Sequence, residues 1–538
     1  MPVNTLPANL WPSSLEMVRI LPEVILTVAG TLLMLLDAML GEKGRHGYGH
    51  ISLVALIAAI FGAVYAGANE GAAFGGMMLV DGFATFFRVL VIVVGILTVL
   101  MSYRFLDREN AEPGEFHALL LFSLVGQCVM VTANELIMIF IGLEISSIAS
   151  YVLAGYLRDD KRANESSLKY FLLGSFATGF FLYGIAITYG ITGSTDLTTV
   201  RGVITGSNAP SVLFVGLAAA LMFVGLGFKV SSAPFQIWAP DVYQGAPTPV
   251  TAFMSAGPKA AAFAIFLRIF MTALDPIGSN WEPLVWISAL ASMTIGNFAA
   301  LTQTNVKRML AYSSIAHAGY VLVALTARRD SGVAAAMFYL AAYAFMNIGA
   351  FAVVSHLSGK GEEYQSVDDF AGLAQKQPLT AAMFYLAAYA LMNIGAFVVV
   401  AHLSGSGERY QNIEDFAGLG RKQPLVAAML TIFMLSLIGV PLTGGFFGKF
   451  YIFKAALESH LIWLTVLGLL NSAVAAYYYL RILVMMYMHE PGEAAEKVEP
   501  LSLGQGMALV LPAAGILVLG IFPTWVLNFA NSASSFLR

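Results

Sequence analysis

Long apolar runs separated by short polar interruptions fill the chain. Fifteen can be traced, at about 18–40, 49–69, 82–104, 115–132, 134–157, 166–192, 210–232, 248–273, 282–302, 306–327, 332–357, 379–403, 425–456, 461–488 and 504–530. A helix needs about 20 apolar residues to cross the hydrocarbon core, and irregular backbone cannot cross it facing lipid. The pattern therefore predicts an all-α polytopic membrane protein, a single membrane domain over 1–538. Most connections are short, so successive helices are expected to pack as antiparallel neighbours, with no room for a water-soluble domain.

Composition narrows the function classes. Hydrophobic residues make up 58% of the chain and charged residues 11%, against about 25% charged in an average protein. The net charge of -4 argues against a nucleic-acid partner. Cys128 is the sole cysteine, which excludes an intramolecular disulfide, a CxxC metal site and a thiolate-held iron–sulfur cluster. The opening MPVNTLPANLWPSSLEMVRI lacks a basic n-region, so the first apolar segment is expected to be retained as a helix.

Basic residues set the orientation. Lys43, Arg45, Arg104, Arg108, Arg158, Lys161, Arg162, Lys307 and Arg308 follow segments 1, 3, 5 and 9. The opposite loops, up to segment 11, offer Arg201, Arg328 and Arg329. The asymmetry places the first set in the cytoplasm and the N-terminus outside.

A lysine at the middle of a membrane helix costs about 2.5–3.5 kcal/mol to insert, so it needs a polar partner or a hydrated cavity. Glu144 stands near the centre of segment 5. Lys229, in LMFVGLGFKVSSAPF, is followed by two serines and Pro234, which is expected to break the helix beside the charge. Lys259 follows Gly257 and Pro258, and Lys449 follows Pro441, Gly444, Gly445 and Gly448. Broken helices beside ionisable groups at mid-membrane depth suit an ion pathway. Glu144 and Lys229 are expected to pair, with Lys259 as acceptor and Lys449 as exit group. His317 fits either a packing hydrogen bond or a proton relay. Arg88, Arg268 and Arg481 read as anchors that snorkel from helix ends, and Lys169 and Lys454 as interface residues. No nucleotide cradle is present, so the driving energy must come from another protein.

Two internal similarities stand out. SSIASYVLAG at 146–155 resembles SSIAHAGYVL at 313–322, five segments on, the mark of an inverted repeat. AAMFYLAAYAFMNIGAF at 335–351 returns as AAMFYLAAYALMNIGAF at 381–397, within a tandem duplication of 335–379 as 381–425 that differs at 10 of 45 positions. Lys360 and Lys376 follow the first copy, and Arg409, Arg421 and Lys422 follow the second. Both loops are expected in the cytoplasm, so one copy is expected not to span. The first is assigned to the spanning position.

PFQIWAPDVYQGAPTPVTAFMSAGPKAAAFAIFLRIF, LAYSSIAHAGY and PLTGGFFGKFYIF resemble the antiporter-like subunits of the proton-pumping NADH:quinone oxidoreductase, respiratory complex I. PDVY, where other branches have PDAH, and the following PTPVTAF favour the N branch over the L, M and Mrp-type branches. The resemblance implies an antiporter-like fold of 14 transmembrane helices, here with one duplicated segment added. It implies two inverted five-helix repeats, each with a broken helix. On that scheme 1–110 holds three N-terminal helices, 111–275 and 276–490 the repeats, and 491–538 a last helix. It further implies a proton-translocating subunit with Glu144, Lys229, Lys259, Lys449 and His317 as its working residues. No cofactor is expected in this subunit. Expected partners are the antiporter-like M subunit, the small K- and J-type subunits and the lipid bilayer of a bacterial cytoplasmic membrane. The rival reading is a sodium/proton antiporter. It would favour a cluster of acidic or carbonyl ligands, and Glu144 is almost alone as a mid-membrane carboxylate.

Overall fold

The computed structural model describes residues 12–40, 45–357, 362, 441, 444–488, 518–524, 526 and 528. The second copy of the duplication, 381–425, the loop after it, the loop after the first copy apart from Glu362, and the Arg481 side chain lie outside the described residues. The helices run α1 (Ser14–Arg19), α2 (Leu21–Leu40), α3 (Arg45–Gly67), α4 (Gly82–Arg108), α5 (Pro113–Thr132), α6 (Leu136–Ala154), α7 (Lys161–Thr192), α8 (Leu197–Thr205) and α9 (Val212–Val230). They continue with α10 (Trp238–Gly245), α11 (Thr248–Arg268), α12 (Gly278–Leu301), α13 (Val306–Thr326), α14 (Asp330–Leu357), α15 (Gly444–Glu458) and α16 (Ile462–Met488). A short antiparallel hairpin, β1 (Gly71–Ala73) with β2 (Met78–Val80), joins α3 to α4. Among the described residues, 10 helices are long and apolar enough to cross a membrane. The fold is all-α and polytopic, as the apolar runs require.

Helix ends follow ordinary capping chemistry. The side chains of Asp81, Asp160, Asp196 and Asn305 accept a backbone N–H in the first turn of α4, α7, α8 and α13. Small residues then let helices approach closely. At the α5–α6 crossing, a Cβ on Gly142 would meet Met130 N at 2.8 Å and Gly126 O at 2.9 Å. The α12–α13 crossing uses the same device, where a Cβ on Gly296 would meet Ala316 N at 2.6 Å.

α11 and α13 form the buried centre, with Phe253, Phe266, Leu310 and Leu322 all within the core. The first copy's apolar segment forms α14, which packs against α4, α11, α13 and α15. Outward surfaces are apolar, as on α3 (Val54, Phe61) and α7 (Leu168, Leu172, Phe176).

Two arginines depart from the expected snorkelling. Arg88 is fully buried, and its Nε and Nη2 donate to Glu23 Oε1 at 3.0 and 2.6 Å. Arg268 Nη2 bonds both carboxylate oxygens of Asp81 at 3.0 Å. A guanidinium that finds a buried carboxylate has no reason to reach for the interface. Glu23, 6% exposed, is a second buried carboxylate, in the first turn of α2 rather than at its middle. Lys169 and Lys454 are partly exposed and pair with Glu165 and Glu458 one turn away. Lys169 also reaches Asp241.

Candidate functional site

Lys229 sits in the last turn of α9, where the partial negative charge of a helix C-terminus favours an ammonium. The helix breaks at Ser231, left-handed at φ 60°, three residues before Pro234. Several of the freed backbone groups find partners. Trp238 Nε1 donates to Phe228 O at 2.8 Å, Ala233 N to Ser292 Oγ at 2.7 Å, and Ser288 Oγ to Ala233 O at 2.5 Å. Serines of α12 and the first residue of α10 therefore replace the missing helical bonds. Asp241 fixes α10 from the other side, accepting from Lys169 of α7 at 2.9 Å and Arg308 of α13 at 2.6 Å.

The expected contact between Lys229 and Glu144 is not made directly. Lys229 Nζ turns to Tyr151, 3.4 Å from its hydroxyl, and lies 5.1 and 5.3 Å from the ring centroids of Tyr151 and Tyr170. Cation–π attraction holds the ammonium there. Tyr151 stands seven residues beyond Glu144 on α6, about 10 Å along the axis. Glu144 is partly exposed, on a face shared with Ile141, Ile145 and Ile148, and its Oε1 is buried without a hydrogen-bond partner. The carboxylate acts on Lys229 electrostatically, where the expectation had the two meeting directly or through one water.

Beside Lys229 and Pro258 runs a hydroxyl ladder. Ser123 Oγ of α5 lies 3.1 Å from Ser146 Oγ and 3.3 Å from Ser150 Oγ of α6, and receives Gln127 Nε2 at 3.2 Å. A cavity of about 10 Å³ touches Ser146, Ser147, Ser150, Tyr170, Lys229 and Pro258, room for about one water. α11 runs unbroken through Pro258. The missing N–H of Pro258, one residue before Lys259, leaves the Met254 carbonyl without its helical donor.

Beyond Lys259 the polar groups continue on α13. Lys259, 2% exposed, donates to Ser314 Oγ and, at 3.3 Å, to Ser314 O. Ser314 and His317 are three apart on one helix face. His317 Nδ1 is 2.5 Å from Tyr339 Oη of α14, the proton's side depending on the tautomer. Tyr320, a further turn along, stacks edge-on against His317 and carries Lys449 Nζ 5.0 Å from its ring centroid. Lys449 Nζ donates to Ser472 Oγ of α16 at 2.6 Å.

The structure thus brings Lys229, Lys259, His317 and Lys449 onto one buried polar line and leaves Glu144 at its flank. Tyr151, Tyr339, Ser472 and the α5–α6 hydroxyls escaped the sequence reading, because neutral groups raise no insertion-cost alarm. The one available signal was tyrosine and serine at helical spacing from the charged positions. A lysine near a hydroxyl or imidazole can pass a proton without leaving its rotamer basin, and such steps compose a relay.

Three comparisons bear on the family. The model of the NADH:quinone oxidoreductase/Mrp antiporter transmembrane family matches residues 133–386 and 379–475. NADH-quinone oxidoreductase subunit N 1 of Solibacter usitatus is 66% identical over 97% of this chain and 98% of its own length. Subunit N 2 of Koribacter versatilis is 46% identical over 98% of both chains. A chain of respiratory complex I from Thermus thermophilus with bound aureothin superposes with a TM-score of 0.70 at 31% identity, over 94% of this chain and 98% of that one. A chain of the Mrp complex from a Dietzia species, 18% identical, shares the fold with a TM-score of 0.74 over 97% of each chain. The chain belongs to the NADH:quinone oxidoreductase/Mrp antiporter family and stands with its subunit N members.

Proposed function

We propose that this chain is a proton-translocating membrane subunit of an NADH:quinone oxidoreductase. The observation that carries the reading is the buried line from Lys229 through the α5–α6 hydroxyls to Lys259–Ser314, His317–Tyr339 and Lys449–Ser472. Quinone reduction elsewhere in the complex supplies the energy, and this subunit holds no redox group of its own. Its partners are the neighbouring membrane subunits, of the M type and the small K and J types. Its home is the bacterial cytoplasmic membrane, with the N-terminus outside by the placement of Lys and Arg.

The proposed sequence begins with Lys229 protonated, its ammonium supported by the aromatic rings, the α9 C-terminus and the field of Glu144. A shift of Glu144 away from α9 withdraws part of that support. The proton then passes through Ser150, Ser146 and one water to Lys259. Lys259 hands it through Ser314 to the His317–Tyr339 pair, whose imidazole exchanges a proton at one nitrogen while holding one at the other. Lys449 receives it and releases it on the outer side. The sodium/proton antiporter reading has weaker support. The relatives of highest identity given above are named as oxidoreductase subunits, while the Mrp likeness at 18% identity concerns the fold.

The test is proton pumping by the assembled complex in liposomes. Lys229→Ala should abolish most NADH-driven pumping while the complex still assembles. Lys229→Arg should fail to restore it, because guanidinium does not deprotonate. Wild-type pumping in either assembled variant would overturn the reading.

A further inference from the structure

The short helix α10 opens with a residue that takes no proton in the proposed relay. Trp238 is 3% exposed, and its indole stacks on Tyr170 of α7, with ring centroids 4.6 Å apart and planes 8° apart. It also stacks on Phe228, at 5.1 Å and 25°, and donates to the Phe228 carbonyl at 2.8 Å. Phe228 immediately precedes Lys229, and Tyr170 is one of the two rings beneath the Lys229 ammonium. The indole thus meets the lysine's support twice, once at the backbone and once at the aromatic ring.

The orientation of Tyr170 matters to the charge above it. Tyr151 meets Tyr170 edge-on, with centroids 4.6 Å apart at 88°, and both side chains are buried. A ring met edge-on by one aromatic and stacked by another is left with one orientation. The ammonium responds to that orientation, because the face of an aromatic ring is negative and attracts a cation, while its edge is positive and repels one. An aliphatic side chain in place of the indole would let Tyr170 tilt.

α10 is itself seated on α7. Ser166 Oγ donates to Val242 O at 3.0 Å, Lys169 Nζ donates to Asp241 Oδ2 at 2.9 Å, and a Cβ on Gly245 would stand 2.6 Å from the Arg162 carbonyl. Positions 162, 166, 169 and 170 share one helical face. α7 therefore supplies both the seat of α10 and the ring against which its tryptophan stacks. From α13, Arg308 Nη1 donates to Asp241 Oδ1 at 2.6 Å and to Gln244 Oε1 at 3.1 Å. These ion pairs are partly exposed and add little stability. What they set is the position of α10.

We propose that Trp238 is a positioning residue, which clamps the face of Tyr170 toward Lys229 and so ties the seat of the ammonium to the position of α10 between α7 and α13. The inference deepens the proposed function and rests on it. A small displacement of α10 tilts Tyr170, its face turns from the ammonium, and Lys229 gives up its proton to the relay. Return of α10 restores the seat for the next proton.

The test is NADH-driven pumping by the whole assembled complex in liposomes, measured beside its thermal midpoint. Trp238→Leu and Tyr170→Leu should each slow pumping about tenfold, and Trp238→Phe, which keeps a stacking ring, by about threefold. The double variant decides. If Trp238 acts through Tyr170, adding Trp238→Leu to Tyr170→Leu slows pumping by less than about twofold more. Losses that multiply overturn the clamp, as does wild-type pumping by assembled Trp238→Leu. Where leucine at 238 prevents assembly, Trp238→Phe takes its place in the same cycle. A second measurement separates charge from packing. Trifluorophenylalanine introduced in place of Tyr170 keeps the ring's shape and strips its face of negative charge. It should slow pumping several-fold relative to Tyr170→Phe at the same midpoint, and equal pumping by the two overturns the proposal. Failure of the proposed function itself would show differently, as undiminished pumping in Lys229→Ala complexes.

Discussion

Gly448→Ala probes the step between α13 and α15 with a single methyl group. A Cβ there would stand 2.8 Å from Tyr339 Cδ2 and 3.4 Å from Cε2. Non-bonded carbons settle about 3.5–4.0 Å apart, so the ring must retreat by about 0.7–1.2 Å. Tyr339 is fully buried and its Oη is held 2.5 Å from His317 Nδ1. A retreat of that size stretches the bond to or past the about 3.2 Å limit of useful geometry. Overpacking of this kind costs about 1–3 kcal/mol. If the whole strain falls on proton passage between His317 and Lys449, pumping slows about fivefold to about 150-fold. Two assays divide the effect, the initial rate of NADH-driven acidification in liposomes and the thermal midpoint of the purified complex. Tyr339→Phe is the companion variant, since it removes the hydroxyl without crowding and should slow pumping with little change in midpoint. Wild-type behaviour of Gly448→Ala in both assays would refute the close approach. A lowered midpoint with undiminished pumping would refute the step.

Glu23→Leu should lower the thermal midpoint strongly, because leaving a buried guanidinium unpaired costs about 3–5 kcal/mol. Adding Arg88→Leu should recover most of the loss, and a double variant no more stable than the single one would contradict the pairing of Arg88 with Glu23. At the N-terminus, outside the membrane helices, Glu16 accepts the Ser13 and Phe74 backbone N–H groups, which hold its carboxyl below the usual glutamate range. A depressed carboxyl stabilises the fold above its unfolded pKa and loses that contribution as pH falls through the folded value. Protection of the Ser13 and Phe74 amides from hydrogen exchange should therefore persist at neutral pH and fade below about pH 4.5. In Glu16→Gln the same amides should exchange with no such transition.

The charged residues made most of the candidate site legible, because insertion cost singles out a lysine in an apolar run whatever its neighbours. That reasoning located Lys229, Lys259 and Lys449, and the structure buries all three, each beside a hydroxyl group. It could not supply tertiary partners. Arg88 and Glu23 are 65 positions apart, and nothing in either local pattern says that they meet, so anchoring by snorkelling was the natural expectation. The separation of Glu144 from Lys229 has a similar origin. Spacing along α6 places Glu144 on a face, but the choice of Lys229 between a carboxylate and two aromatic rings depends on how α6, α7 and α9 pack. The α9 break illustrates a smaller gap. Proline marks where a helix cannot continue, yet the chain turns earlier, at Ser231, because α12 offers Ser288 and Ser292 to the linker. Neutral hydroxyls such as Tyr339 and Ser472 carry no charge penalty and gain meaning only from the lysines and histidine beside them.

The most direct test of the central claim is the number of protons moved per NADH oxidised by complexes carrying Lys259→Met in liposomes. Lys259 donates to the α13 serine Ser314, and its neighbour Pro258 lines the cavity that Lys229 and the α6 serines share. Methionine keeps the length and apolar stem of the side chain without a proton-binding group. A relay through Lys259 predicts fewer protons per NADH than the wild-type complex moves, with assembly intact. An unchanged ratio at an unchanged rate of NADH oxidation would contradict it.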